Sequence, residues 1–184
     1  QMEVEVFRDS KNVQLSVQTF PLFEVDLSKI WSSVSEPDTC FRVINDSIGY
    51  IYLGSVRRKH LNRLFKAAKQ KDALIIDLRN YPNENLIDDL ASLLLEKQCE
   101  FARISLVEND APGMVKWKRT NVVGSADTNN YDGRVILLID EWTQSYAEYL
   151  AMVMQCSAKV TIVGSPSAGS NGNISKLTLP GNIT

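Results

Sequence analysis

Hydrophobic and polar residues alternate at the start of the chain, and this pattern predicts a β-hairpin over residues 1–20. Residues 4–8 and 13–17 alternate on either side of a polar Asp-Ser-Lys-Asn turn. The interval 21–48 contains two prolines and many Ser and Asp residues, which indicates a linker. The pattern then changes, and we expect a folded core over residues 49–184.

Strand and helix patterns take turns within this core. Helices are predicted at 57–69, 86–95 and 144–155, and strands at 50–53, 73–78, 101–107, 115–123, 135–139, 159–163 and 174–179. The segments 73–78 and 135–139 are almost continuously apolar, which is typical of parallel strands covered on both faces. Repeated strand–helix–strand units predict an α/β fold with a layered sheet, whose functional sites gather at the carboxyl ends of the strands.

Composition and charge exclude several classes of protein. The 184 residues carry 20 Lys and Arg against 22 Asp and Glu, so we expect no nucleic-acid partner. No stretch reaches 18 consecutive apolar residues, and we expect no membrane span in this chain. Cys40, Cys99 and Cys156 fit neither a zinc pattern nor a full disulfide framework, and the redox compartment stays open. Cys99 and Cys156 lie on or beside predicted helices among apolar residues, so we expect them in the core.

Ser145 is the main candidate for chemistry, because it lies where a buried strand gives way to a helix. The backbone N–H of Tyr146 could there stabilise the oxyanion formed when a serine attacks a carbonyl group. The same residues also fit a capping box, in which Ser145 and Glu148 only satisfy the backbone at the helix start. Without further information, the pattern Ser145-x-x-Glu148 favours the capping box over a nucleophile.

Other polar residues also have two interpretations. Asp77 and Arg79, at a strand end, are either a clamp for a substrate carboxylate or an internal ion pair. The single histidine, His60, belongs to a basic helix face, which favours a solvated residue over a general base. The Gly- and Ser-rich segment 164–172 is either an anion cradle or, more simply, a binding loop or turn.

Four segments, taken in order, resemble the C-terminal processing (tail-specific) serine peptidases and their tricorn-like relatives. They are residues 49–51, 74–82, 135–148 and 162–169. The resemblance covers residues 49–181 and implies a crotonase-like α/β core that cleaves peptides through a serine acyl-enzyme. The opening hairpin resembles the last strands of the PDZ-like domain that often precedes such a core, so we expect the chain to be a fragment of a longer protein.

The resemblance also assigns roles to individual residues. It implies that Ser145 is the nucleophile and that the Tyr146 N–H is one oxyanion donor. The family's second donor comes from a Gly-rich turn, but the matching residues 80–84 contain no glycine, and we expect the Asn83 N–H in that place. The substrate is held by a loop that contains Gly164, Ser165, Gly169 and Ser170.

A second departure from the tail-specific pattern concerns the general base. Those peptidases use a lysine 25 residues beyond the serine as general base, and Ser170 stands at that position. The chain is therefore closer to the tricorn-like branch, and we expect the base to come from sequence outside it. This fragment alone would then be inactive.

The resemblance implies peptide or unfolded-protein substrates and a location outside the cytoplasm, in the periplasm or cell envelope. It implies no metal and no cofactor, and it allows an oligomer. The alternative is a catalytically inactive module that binds peptides or apolar ligands on the same fold. A crotonase-like enzyme acting on acyl groups is disfavoured, because nothing in the sequence resembles a coenzyme A pocket.

Overall fold

The chain forms two compact units, Gln1–Ser32 and Ser33–Thr184. The structure, a computed structural model, describes residues 2–20, 24, 39–108, 110–111, 113–118, 120–125 and 130–172. In the first unit, β1 (Met2–Arg8) pairs antiparallel with β2 (Lys11–Val17). Asp9 and Ser10 between them have φ values of 50° and 62°, as a two-residue type I′ turn requires. The predicted hairpin is confirmed.

The second unit alternates strands and helices over most of its length. Its elements are β3 (Phe41–Val43), β4 (Ile48–Tyr52), a 3₁₀ turn (Leu53–Ser55), α1 (Arg58–Ala68), β5 (Ala73–Asp77), α2 (Ile87–Leu94), β6 (Cys99–Ala102), β7 (Ser105–Val107), β8 (Val115–Trp117), β9 (Asn121–Val123), β10 (Arg134–Ile139), α3 (Tyr146–Gln155) and β11 (Val160–Gly164). The main sheet has the order β11-β10-β5-β4-β3, and all pairs are parallel except β3 with β4. The predicted α/β class is confirmed.

The sheet and the helices share one hydrophobic core. Leu74 and Ile76 of β5 and Leu137 of β10 are fully buried, and they belong to the same cluster as apolar side chains of all three helices. The alternate residues of β5 and β10 are mostly half-buried, so these central strands are covered on both faces, as their continuous apolar pattern predicts. No helix in the described part of the chain is long and apolar enough to cross a membrane.

Three predicted segments differ from the structure. The interval predicted as a linker, 21–48, contains β3 and the first residue of β4, and these two strands pair with each other and so belong to the sheet. The single strands predicted at 101–107 and 115–123 are each divided in two, so that β6 pairs with β9 and β7 with β8. A register shift within β6 marks this irregular pairing, which an alternating pattern does not reveal. The strand predicted at 174–179 lies outside the described residues.

A disulfide bond joins Cys99, at the start of β6, to Cys156, at the end of α3. Both residues pack against the core, as predicted, but their bond to each other was not predicted from the sequence. Their Cα atoms are 6.1 Å apart, which is within the range that a disulfide can bridge. The bond closes a loop of 57 residues in sequence, a relationship that the spacing of three cysteines does not show.

Replacing both Cys99 and Cys156 by serine should lower the free energy of unfolding by about 4 kcal/mol, because a closed loop of this length restricts the unfolded chain. Denaturant unfolding of the double variant and the wild type, under oxidising and non-oxidising conditions, measures this difference in stability. Cys40→Ser is the matched control, since Cys40 is a free thiol and its replacement should leave the disulfide contribution intact. Equal stability of the double variant and the wild type would contradict the prediction.

Candidate active site

The turn between β10 and α3 is fastened to the end of β5 by a buried threonine. The Thr143 hydroxyl donates to the carbonyl oxygen of Leu78 at 3.0 Å and accepts the Asp140 N–H at 3.1 Å. The Asp140 carboxylate in turn accepts the Trp142 N–H at 3.0 Å. The backbone that leads into Ser145 is therefore fixed by contacts that hold two neighbouring strands together.

Ser145 has a strained backbone. Its φ and ψ are 51° and −115°, and it is the one non-glycine residue with positive φ in the described part of the second unit. Such a conformation costs about 1–3 kcal/mol and is typical of functional sites. A strained strand-to-helix turn also carries the nucleophilic serine of α/β-hydrolases, where it exposes the hydroxyl.

Glu148 connects Ser145 to the loop that follows β11. Ser145 and Glu148 form the capping box predicted from the sequence, with the Ser145 N–H donating to Glu148 Oε2 at 2.9 Å. Glu148 Oε1 accepts the Ser167 hydroxyl at 2.7 Å and the Gly169 N–H at 2.8 Å. The Ser145 N–H also lies 2.8 Å from the Ser170 carbonyl oxygen. Of the predicted loop residues, Ser170 thus contacts Ser145 directly, and Gly169 is connected to Ser145 through Glu148.

The other two predicted loop residues lie at the end of the sheet. Gly164 pairs with Ile139 and has φ 135°, and a Cβ atom there would lie 1.9 Å from the Ile139 carbonyl oxygen. Only glycine fits at this close approach. The Ser165 hydroxyl donates to Glu141 at 2.7 Å. These contacts give both residues structural roles, and their contact with substrate stays a prediction.

The loop after β5 packs against Tyr146. The Tyr146 hydroxyl accepts the Leu86 N–H at 2.7 Å and donates to Asn85 Oδ1 at 2.9 Å. The ring centroids of Tyr81 and Tyr146 are 6.4 Å apart. The loop that carries the second predicted oxyanion donor, Asn83, is therefore held beside the start of α3.

The two predicted oxyanion donors have different surroundings. The side chain of Asn83 donates to the Gly54 carbonyl oxygen, which fixes this residue within its loop. Among the described residues, no atom accepts a hydrogen bond from the Tyr146 N–H. Their roles as donors to an oxyanion stay predictions.

Asp77 and Arg79 form an internal ion pair, which is the second of the two interpretations of these residues. The fully buried Asp77 carboxylate accepts hydrogen bonds from Arg79 Nε at 3.0 Å, from Arg79 Nη2 at 2.7 Å and from the Tyr50 hydroxyl at 2.6 Å. The guanidinium fork is therefore used within the protein, at the carboxyl end of β5.

These contacts change the acidity of all three groups. Burial raises the pKa of Asp77, but the hydrogen bonds from Arg79 and Tyr50 outweigh it and hold the pKa below its usual value of 3.8. Burial, together with the hydrogen bond to Asp77, raises the pKa of Tyr50 to about 12. Hydrogen bonding to Asp77 raises the pKa of Arg79. At neutral pH the site thus contains a charged pair and a neutral phenol.

A cavity of about 690 Å³ lies beside Ser145. One wall is the segment 102–107, which runs from β6 into β7, and the other is formed by Tyr146, Tyr149 and Met152 on one face of α3. Asn171 and Gly172 of the loop after β11 complete the lining. This cavity was not predicted from the sequence. The only pattern in the sequence that could indicate the cavity is the three-residue spacing of Tyr146, Tyr149 and Met152, and core residues of a helix show the same spacing.

Among the described residues, this lining contains no histidine, lysine or carboxylate that could serve as the general base. Arg103 is its one charged residue among those described, and no histidine or lysine is present. His60 lies elsewhere on α1, with Nδ1 3.8 Å from the Cys40 sulfur. The described residues also contain no group of three or more His, Cys, Asp or Glu side chains arranged to hold a metal ion.

The sequence model of Peptidase family S41 matches residues 47–183, which is most of the chain. The chain therefore belongs to Peptidase family S41. This confirms the resemblance to the C-terminal processing peptidases at the level of the family. No curated protein sequence matches the chain.

Two solved structures with TM-scores above 0.5 share this fold. A putative peptidase from Parabacteroides merdae ATCC 43184 is 21% identical with a TM-score of 0.68, over 84% of this chain and 52% of that one. Mature CPAF is 13% identical with a TM-score of 0.55, over 97% and 55% of the two chains. The photosystem II D1 C-terminal processing protease is 16% identical with a TM-score of 0.46, over 67% and 31%. The chain spans about half the length of the first two structures.

Replacing Ser145 by glycine should give a protein about 1 kcal/mol more stable than Ser145→Ala, because glycine adopts positive φ without strain. Both variants lose the same hydroxyl, so the comparison isolates the backbone. Denaturant unfolding of the two variants measures the difference. If Ser145→Ala were equally or more stable, the turn would not be strained.

Replacing Asp77 by asparagine should lower the free energy of unfolding by about 2 kcal/mol at neutral pH, because charge-assisted hydrogen bonds to a buried carboxylate are lost. The folded-state pKa lies below the usual 3.8, so this contribution is fully present above about pH 4. The gap between wild type and variant should close as the pH falls further. Unfolding curves between neutral and acidic pH measure the gap. Glu96→Gln is the control: it removes an exposed ion pair with Lys159 and should lower the free energy of unfolding by less than about 1 kcal/mol. A difference between wild type and Asp77→Asn that did not change with pH would contradict the role of the Asp77 carboxylate.

Proposed function

We propose that this chain carries the nucleophile and the oxyanion hole of a serine peptidase that cleaves extended peptides or the C-terminal tails of proteins. The observation that carries the proposal is the strained backbone of Ser145 at a strand-to-helix turn beside a 690 Å³ cavity. Membership of Peptidase family S41 supports the same reaction class. A capping box does not exclude it, because the cap satisfies backbone groups at the helix start and leaves the strain unexplained.

In the proposed reaction, the Ser145 hydroxyl gives its proton to a general base and its Oγ attacks the carbonyl carbon of the scissile bond. The developing oxyanion accepts hydrogen bonds from the N–H groups of Tyr146 and Asn83, close to the positive end of α3. The C–N bond then breaks, the leaving amine takes the proton, and the acyl group stays on Ser145. Water hydrolyses this ester and restores the serine.

The general base of this reaction comes from sequence outside the chain. The described cavity lining contains neither histidine nor lysine, and the position of the family's lysine is occupied by Ser170. Because the chain spans about half the length of similar structures, further sequence in the whole protein is expected to supply this base. Residues 1–184 would then be inactive alone, as in the tricorn-like branch.

The substrate lies in extended form along the loop that contains Gly164, Ser165, Gly169 and Ser170, and one of its side chains enters the cavity. Backbone hydrogen bonding of this kind resembles β-augmentation. The cavity offers the apolar side chains of Tyr149 and Met152 to such a residue. An oligomer is compatible with this arrangement, and no cofactor is needed for it.

The finer fold assignment belongs to the same proposal. The main sheet is a crotonase-like core, and the hairpin β1–β2 is the end of a PDZ-like domain. The Cys99–Cys156 disulfide supports a location outside the cytoplasm, because structural disulfides persist in oxidising compartments.

A catalytically inactive module that binds peptides or apolar ligands is the second candidate. It is favoured by one observation, the lack of a histidine or lysine among the described residues that line the cavity. Such a module would keep the cavity and the loop but would not activate Ser145.

Fluorophosphonate labelling of the full-length protein distinguishes the two functions. Wild type should gain the mass of one adduct, because an activated serine attacks phosphorus, and Ser145→Ala should gain none. Ser157→Ala is a matched control, since Ser157 lies at the opposite end of α3 and should not affect labelling. Labelling of residues 1–184 alone should fail if the base lies outside them. A full-length protein that gains no adduct would support the binding module.

A further inference from the structure

Glu148 makes more contacts than a helix cap requires. A capping box needs only the reciprocal contact with Ser145, which is three residues away. The same carboxylate accepts hydrogen bonds from Ser167 and Gly169, which lie 19 and 21 residues further along the chain. The side chain thus joins the turn before α3 to the loop after β11.

We propose that Glu148 is a positioning residue that fixes the Ser145 turn and the substrate loop relative to each other. This inference rests on the proposed function of Ser145. Glu148 Oε2 orients the strained residue through its N–H, and Oε1 holds the loop through two donors. The loop in turn brings Asn171 and Gly172 to the cavity beside Ser145.

The arrangement requires a carboxylate. Both oxygens face donors, and the residue is only 9% exposed, so water cannot easily replace a lost partner. Glutamine keeps the shape but has one acceptor oxygen and one amide nitrogen that only donates. In either orientation, its amide nitrogen would face a backbone N–H, that of Ser145 or that of Gly169, and the hydrogen bond from that N–H would be lost.

The loop has a second anchor that is independent of Glu148. The Ala168 N–H donates to the Thr143 carbonyl oxygen at 3.0 Å, and Ser165 bonds to Glu141. Substitution of Glu148 should therefore loosen the loop and the turn without releasing the loop altogether. A defect in function should appear in a folded protein.

The test compares Glu148→Gln and Ser167→Ala in the full-length protein, with Glu141→Gln as a matched control. Glu141 contacts the same loop at Ser165 but does not contact Ser145. The measurements are the second-order rate constant of fluorophosphonate labelling, kcat and KM for a peptide substrate, and the melting temperature. The small labelling reagent reports on Ser145, whereas KM for a peptide also reports on the loop.

Glu148→Gln should slow labelling by about tenfold or more and also raise KM, because misplacement of a nucleophile by a fraction of an ångström is costly. Ser167→Ala removes only a loop contact, so it should raise KM while labelling stays within about twofold of wild type. Glu141→Gln should label at the wild-type rate. If Glu148 were only a helix cap, Glu148→Gln would change the melting temperature but not the labelling rate or KM.

Two results would overturn the inference without affecting the proposed function. One is a folded Glu148→Gln protein that labels as fast as wild type. The other result matters if Glu148→Gln does not fold. In that case, a Ser167→Ala protein with the wild-type KM overturns the inference that Glu148 holds the substrate loop. A wild-type protein that is not labelled overturns the proposed function and this inference together.

Discussion

The parallel pairing of β5 with β10 is the interaction on which the candidate site depends. Leu138 is in register with Asp77, and the Leu78 N–H donates to the Leu138 carbonyl oxygen at 2.9 Å, so both strands end at the same edge of the sheet. The Thr143 hydroxyl then binds the Leu78 carbonyl oxygen just beyond that edge. The sheet therefore provides a rigid support for the turn that carries Ser145, while the Asp77 ion pair holds the end of β5 in place.

Backbone strain at Ser145 persists only because several contacts oppose its relaxation. Thr143 fixes the turn from the sheet, and Glu148 and Ser170 both accept the Ser145 N–H from the other side. Strain of about 1–3 kcal/mol is small compared with such a set of hydrogen bonds and a buried core. The capping box and the proposed nucleophile are thus compatible: the cap is part of what holds the serine in its unusual conformation.

Elements whose structure is determined by neighbouring residues could be predicted from the sequence. The apolar runs 73–78 and 135–139 specify buried strands, and Ser145 with Glu148 specifies a helix start, because each depends on neighbours within a few residues. The Cys99–Cys156 bond and the contact of Glu148 with Gly169 connect distant parts of the chain, so no local pattern encodes them. The prediction of one continuous strand over 101–107 was wrong for a related reason, because pairing with a distant strand decides where a bulge falls.

The two walls of the cavity depend on the same long-range connections. The segment 102–107 follows directly from Cys99, and Tyr149 lies on the helix that ends at Cys156, so the disulfide links the strand of one wall to the helix of the other. Between them, the rings of Phe101 and Tyr149 meet edge to face, with centroids 4.7 Å apart. A short and exposed strand such as β7 has little core of its own to hold it in place. The disulfide therefore supports the shape of the cavity as well as the fold.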